Sequence, residues 1–139
     1  MNGVIVVRSL LVADTGVTAL VPAVRIGAGM LAQGTSLPAI SLMSVSSTDR
    51  NIHAPGPKRR VTERVQVTVL AASYPAAKAV MRAARAAAAD RMPAIDGLTD
   101  VTVHTDSAGP DFLDEETGIH MQTQDFRVSF NEARLASPS

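Results

Sequence analysis

The sequence predicts an α+β domain: about four strands in a mostly antiparallel sheet, helices packed on one face, and a long β-hairpin loop. Three observations carry that expectation. Residues 61–71 alternate strictly, with Val61, Val65, Val67, Val69 and Ala71 on one side and Thr62, Arg64, Gln66, Thr68 and Leu70 on the other; Glu63 is the exception on the apolar side. The alanine-rich segment "SYPAAKAVMRAARAAAADRM" follows at once and has the spacing and propensity of a helix. The order helix, strand, strand, helix, strand, strand then calls for a sheet covered by helices.

Each element has its own justification. Residues 2–13 set Val4, Val7, Leu10 and Leu11 on one helical face. The β-branched run Val4 to Val7 favours a strand, but a cap at Asp14 or Thr15 for a second turn, "DTGVTALV", selects the helix. Pro22 stops that turn, and Thr18, Ala19 and Leu20 are expected to pack. "RIGAGMLAQGTSLPAI" reads as a surface connection whose glycines supply positive φ angles. It lacks the Gly-Lys-Ser/Thr ending and the helix that a phosphate loop needs. A strand over 39–46 carries Ile40 and Leu42 on one face and Met43 and Val45 on the other, the pattern of a strand covered on both sides.

Residues 47–60 form an extended basic loop joining this strand to the alternating one. In the alanine-rich helix, Ser73 suits the N-cap and Pro75 the first turn. Ala77, Val80, Met81, Ala84 and Ala88 make the buried stripe, and Lys78, Arg82 and Arg85 lie on another face. A turn at Asp96-Gly97 leads into a strand over 101–105; "PDFLDEETG" is an acidic turn. The last strand, 119–131, alternates Phe126, Val128 and Phe130 against Arg127 and Ser129. The whole chain, 1–139, is read as one domain with a flexible tail from 132 to 139.

Composition narrows function. The absence of cysteine excludes disulfides, thiolate metal sites and thiol catalysis. The aromatic residues are Tyr74, Phe112, Phe126 and Phe130, too few for a base-stacking platform. No apolar run is long enough to cross a bilayer, and "MNGVIVVRSLL" lacks the features of a signal peptide. Net charge is zero but uneven: +1 over residues 1–46, +6 over 47–91 and −7 over 92–139. A basic middle and an acidic end make complementary surfaces, within a chain or between copies.

The histidines are His53, His104 and His120. His104 and His120 fall on strands expected to pair, and with Asp106 or Asp125 they imitate a metal site, but no chelating spacing supports one. "DEET", Asp114 to Thr117, is not followed by a calcium loop and reads as a solvated turn. No serine sits in a nucleophile elbow. No catalytic, metal or cofactor-binding residue is expected, and the chain is not read as an enzyme.

Four segments in this order resemble one family: "VRSLLVADTGVTALVPAVRI", "QGTSLPAISLMSVS", "RVQVTVLAASYPAAKAVMRAARAA" and "DEETGIHMQTQDFRVSF". They are similar to the small tail completion proteins of long-tailed bacteriophages and gene transfer agents, the tail terminator or tail-to-head joining family. The likeness spans about Val7 to Phe130 and rests on order and spacing rather than on a catalytic motif. It implies a structural virion protein, assembled in the bacterial cytoplasm. Such a protein forms a homo-oligomeric, hexameric ring on the last ring of tail-tube subunits, stops tube polymerisation and docks to the head connector. Double-stranded DNA passes through it, and no membrane is involved. The loop "STDRNIHAPGPKRR" is longer and more basic than the family pattern.

The candidate contact residues for a neighbouring subunit or the DNA channel are Arg50, Lys58, Arg59, Arg60, Lys78, Arg82, Arg85, Asp114, Glu115 and Glu116. An alternative from the same residues is a small nucleic-acid-binding module using the basic arm, with strongly salt-dependent affinity.

Overall fold

The computed structural model describes residues 2–29, 36–50 and 58–133. The elements are α1 (Asn2–Ala13), α2 (Thr15–Leu20), a 3-10 turn (Ala23–Arg25), β1 (Ile26–Ala28), β2 (Ala39–Arg50), β3 (Lys58–Ala71), α3 (Tyr74–Ala88), β4 (Leu98–Ala108), β5 (Phe112–Asp114) and β6 (Ile119–Ala133). They form a mixed α/β domain around a six-stranded sheet of order β1-β2-β3-β6-β4, with β5 also paired to β6. The sequence expectation of about four strands omitted β1 and β5. Only β1 pairs in parallel, on β2; every other pairing is antiparallel.

β3 and β6 are the spine, in unbroken register from Lys58↔Ala133 to Ala71↔His120. The alternation in β3 is realised as read: Val61, Val65, Val67, Val69 and Ala71 are buried, and Glu63 is buried among them. Register sets Phe130, Val128 and Phe126 opposite Val61, Glu63 and Val65, so both strands feed one face. Burying side chains of this size stabilises the fold by about 1.5–3 kcal/mol each. The other face of β3, from Thr62 to Leu70, is half-exposed and mainly polar.

The helices close the apolar core. α1 buries Gly3, Val4, Val6, Val7 and Leu11, overriding the strand propensity of its valines. The Val17 N–H donates to Asp14 Oδ1 at 3.0 Å, which makes Asp14 the N-cap of α2. In α2 the packing residue is Val17, with Val21 just beyond; Ala19 and Leu20, expected to pack, are exposed and Thr18 is half-exposed. In α3 the Ala76 N–H donates to Ser73 Oγ, and Ala77, Val80, Ala84, Ala87 and Ala88 are buried, with Met81 at the margin. Core cluster residues come from α1, α2, α3 and the sheet alike.

Several features differ from the sequence reading: β6 runs to Ala133, because its pairing with β3 continues to Lys58, so residues 132 and 133, read as tail, belong to the strand. β2 runs on to Arg50 and β3 begins at Lys58, so the hairpin ladder extends into the segment read as loop. Its tip, 51–57, which includes His53, lies outside the described residues, as does the tail from 134. Met43 and Val45 are about half-exposed, so β2 is covered on its Ile40 and Leu42 face and not on both. β4 spans eleven residues, longer than the 101–105 expected, and is interrupted between Thr99 and Thr102, where Asp100 adopts φ 52°.

Candidate functional site

Part of the charge asymmetry of the sequence folds onto itself. Because the basic strand β3 pairs with the acidic end of the chain through β6, opposite charges meet across the strands. Arg64 Nε donates to Asp125 Oδ2 at 2.7 Å and stands 3.6 Å from Asp106 Oδ2. Asp106 is in turn 3.6 Å from Arg127 Nη2. This network lies on the polar face of the sheet, with Asp125 nearly buried beneath it.

The basic arm is engaged as well. Arg60 Nη1 donates to the Asp100 carbonyl at 2.7 Å and to Asn131 Oδ1 at 3.3 Å, and Lys58 Nζ reaches Thr99 Oγ1 at 3.3 Å. Arg59 lies 3.6 Å from Asp49 and lines a cleft of about 540 Å³ with Asn2, Ile5, Leu98 and Glu132. The Lys58 and Arg60 contacts tie the end of the β2–β3 hairpin that adjoins its tip to β4 and β6. Arg50 sits at the exposed end of β2, opposite Arg60 in register.

The α3 face is a second surface. Lys78 Nζ is 3.4 Å from Asp111 Oδ2 and lies over the Tyr74 ring, 5.2 Å from its centroid. The Tyr74 hydroxyl first, then Gln122 and Lys78, hold the Asp111 carboxyl below the ordinary carboxylate range, against desolvation. Tyr74 and then Asp111 hold the Lys78 ammonium above its ordinary value. This pair also lines a groove of about 270 Å³ between α3 and β6, together with Met81, Arg82, Arg85 and Gln124. Arg82 and Arg85 are exposed and form no ion pair among the described residues.

The acidic candidates form the tip of the β5–β6 hairpin. The Gly118 N–H donates to the Asp114 carbonyl at 2.7 Å with Gly118 at φ 72°, and the Glu116 N–H donates to Asp114 Oδ1 at 3.1 Å. Glu115 and Glu116 are exposed. Beside this tip, Phe112, Leu113 and Tyr74 expose 59%, 46% and 46% of their surfaces.

His104 and His120 are not brought together. His104 pairs with Arg127 and bonds Asp90 at 2.9 Å, whereas His120 pairs with Leu113 and Ala71 and packs edgewise on Tyr74. Seven positions of β6 separate them, roughly 23 Å along the strand. Sequence reasoning also missed the Arg64, Asp106, Asp125 and Arg127 network. Its sequence signals were Arg64 and Arg127 on the polar sides of two strands, and their pairing with Asp106 and Asp125 depends on register.

The described surface thus carries a half-exposed polar sheet face, a basic helix face and an acidic hairpin tip with exposed aromatic residues beside it. Residues 6–130 match the model of the family described as tail completion protein gp17, and the chain belongs to that family. It is thereby a structural protein of the phage-type virion tail. Among solved structures, it is similar to a chain in the virion of a native gene transfer agent particle, with 18% identity, a TM-score of 0.70, and coverage of 90% of this chain and 91% of that one. At that identity the likeness concerns the fold. No curated protein matches.

Proposed function

We propose that copies of this chain close into a hexameric ring on the last ring of tail-tube subunits, halt tube growth, and present the surface to which the head connector docks. The observation that carries this reading is the family match over residues 6–130. The similar chain in a gene transfer agent virion has the same fold over nearly its whole length, which agrees with a place in a tail particle. Physically, a ring subunit needs two unlike surfaces, because head-to-tail contacts are heterologous. The basic α3 face and the acidic β5–β6 tip are unlike surfaces on a chain of zero formal net charge, so the copies carry no bulk repulsion.

The reading of the chain as a nucleic-acid module is weakened by the engagement of Lys58, Arg59 and Arg60 within the fold. DNA passing through the ring would meet dispersed charge without stacking aromatics, which suits passage over grip. The experiment is electron microscopy of tail tubes assembled with and without the purified protein. Tubes of limited length carrying a terminal ring are expected with it, and overlong bare tubes without it. Tubes that grow alike in both conditions and still join filled heads overturn the proposal.

A further inference from the structure

Many charged side chains among the described residues are engaged within the fold, and those that are not mark free surface. Arg64 meets Asp125 and Asp106, Arg127 meets Asp106, Lys78 meets Asp111, and Arg59 meets Asp49. Arg8, Arg25, Arg60 and Arg91 donate to backbone carbonyls. On α3, Arg82 and Arg85 have no such partner among the described residues, and they line the groove of about 270 Å³ beside Met81. On the acidic side, Glu115 and Glu116 project from the hairpin tip, and no polar partner is present for their carboxylates among the described residues.

The tip cannot fill the groove of its own chain. β5 pairs with β6 at Phe112↔Met121 through Asp114↔Ile119, so the turn lies beyond Ile119. The groove lies at Gln122 to Gln124 on the same strand. Ile119 lies three positions, about 10 Å of strand, from the nearest groove residue, Gln122, and the hairpin runs away from the groove. The separation is fixed by the β5–β6 ladder and the Gly118 turn.

We propose that the Glu115–Glu116 tip of one copy docks in the Arg82–Arg85 groove of the next copy, which makes this contact the head-to-tail joint of the ring. This rests on the ring reading and adds the residues and their pairing. The occupant is a second copy because the two charge sets are complementary, lie on separate parts of the molecule, and leave a heterologous contact as the arrangement that satisfies both. The exposed Phe112 and Leu113 next to the tip supply the apolar centre that a charged rim alone lacks.

The chain contains no cysteine, which permits a direct test. Glu115→Cys and Arg85→Cys are introduced together, and the protein is treated with a short bis-maleimide cross-linker alone and on tail tubes. A direct disulfide needs the two Cβ atoms within about 4.5 Å, closer than an ion-paired Arg and Glu hold theirs, so a linker that replaces the length of the two side chains reports the contact. A ladder of covalent multimers on a denaturing gel is expected, while a control pair, Val24→Cys with Arg85→Cys, gives none. Reversing one surface by Arg82→Glu with Arg85→Glu should weaken self-association by roughly tenfold in sedimentation velocity, and adding Glu115→Arg with Glu116→Arg should restore it. If wild-type protein caps tubes yet the Glu115–Arg85 pair forms no ladder there, the joint is wrong and the ring reading stands. If the ladder forms but tubes are not capped, the joint stands and the ring reading falls.

Discussion

The Gly3 N–H donates to Oε1 of Glu63 at 3.2 Å, and both residues are buried. The contact sets the positive end of α1 on a carboxylate of the central strand and fixes where the helix meets the sheet. Glycine is needed there: a Cβ on Gly3 would stand 2.7 Å from Glu63 Cδ and Oε2 and 3.0 Å from Val65 Cγ2. Gly3→Ala gains at most about 1 kcal/mol in backbone entropy, against about 1–3 kcal/mol for overpacking. A net loss of stability is expected in urea unfolding; equal or higher stability would show that α1 can shift without cost.

The Arg64–Asp125 pair should matter more than its neighbour. Asp125 is 9% exposed in its side chain and would be left buried and charged by Arg64→Ala. Because Arg64 itself is 43% exposed, the loss falls below that of a fully buried pair, at about 1–3 kcal/mol. Arg127→Ala breaks a longer contact between an exposed guanidinium and a partly exposed carboxylate and should cost less than about 1 kcal/mol. Parallel urea titrations give the ranking, and a reversed order would contradict the geometry.

Acid should remove the contribution of Asp111. Its folded pKa is lowered by Tyr74, then Gln122 and Lys78, so its stabilising effect is present above the unfolded value of 3.8 and is lost as pH falls through the folded one. Lys78 has the opposite sign: its contribution is present below 10.5 and is lost as pH rises through the raised folded value. The Tm difference between wild type and Asp111→Asn should therefore be flat through neutral pH and shrink below the ordinary carboxylate range. A difference that persists at the lowest pH would assign the effect of the mutation to packing.

What could be read in the sequence follows from which forces are local. β3 and α3 were legible because alternation, the Ser73 cap and the position of Pro75 act within a few residues. β1 was not: three residues, Ile26 to Ala28, have no pattern of their own and form a strand only through parallel pairing with β2. β5 hid in an acidic turn because Phe112 and Leu113 remain exposed and show no burial pattern. Met43 and Val45 suggested a strand covered on both sides, but one side of the sheet carries them about half-exposed. The charged faces were visible as composition, yet which charges cancel depends on the β3–β6 register, which no local signal encodes.

Arg60 separates an internal strut from a DNA-binding arm. Its bond to the Asp100 carbonyl holds a residue at φ 52° in the interrupted β4, and Asn131 braces the same residue through Asp100 Oδ2 at 2.9 Å. Removing that charged donor should cost about 0.5–1.5 kcal/mol, since the site is half-exposed and water can replace part of the bond. Arg60→Ala is thus expected to lower the urea midpoint while leaving elution from immobilised double-stranded DNA at the same salt concentration. An arm devoted to phosphate would behave in the opposite way, with unchanged stability and a salt slope reduced by about 0.9. Unfolding and salt-gradient elution on the same preparation tell these outcomes apart, and the second pattern would return Arg60 to the nucleic-acid reading.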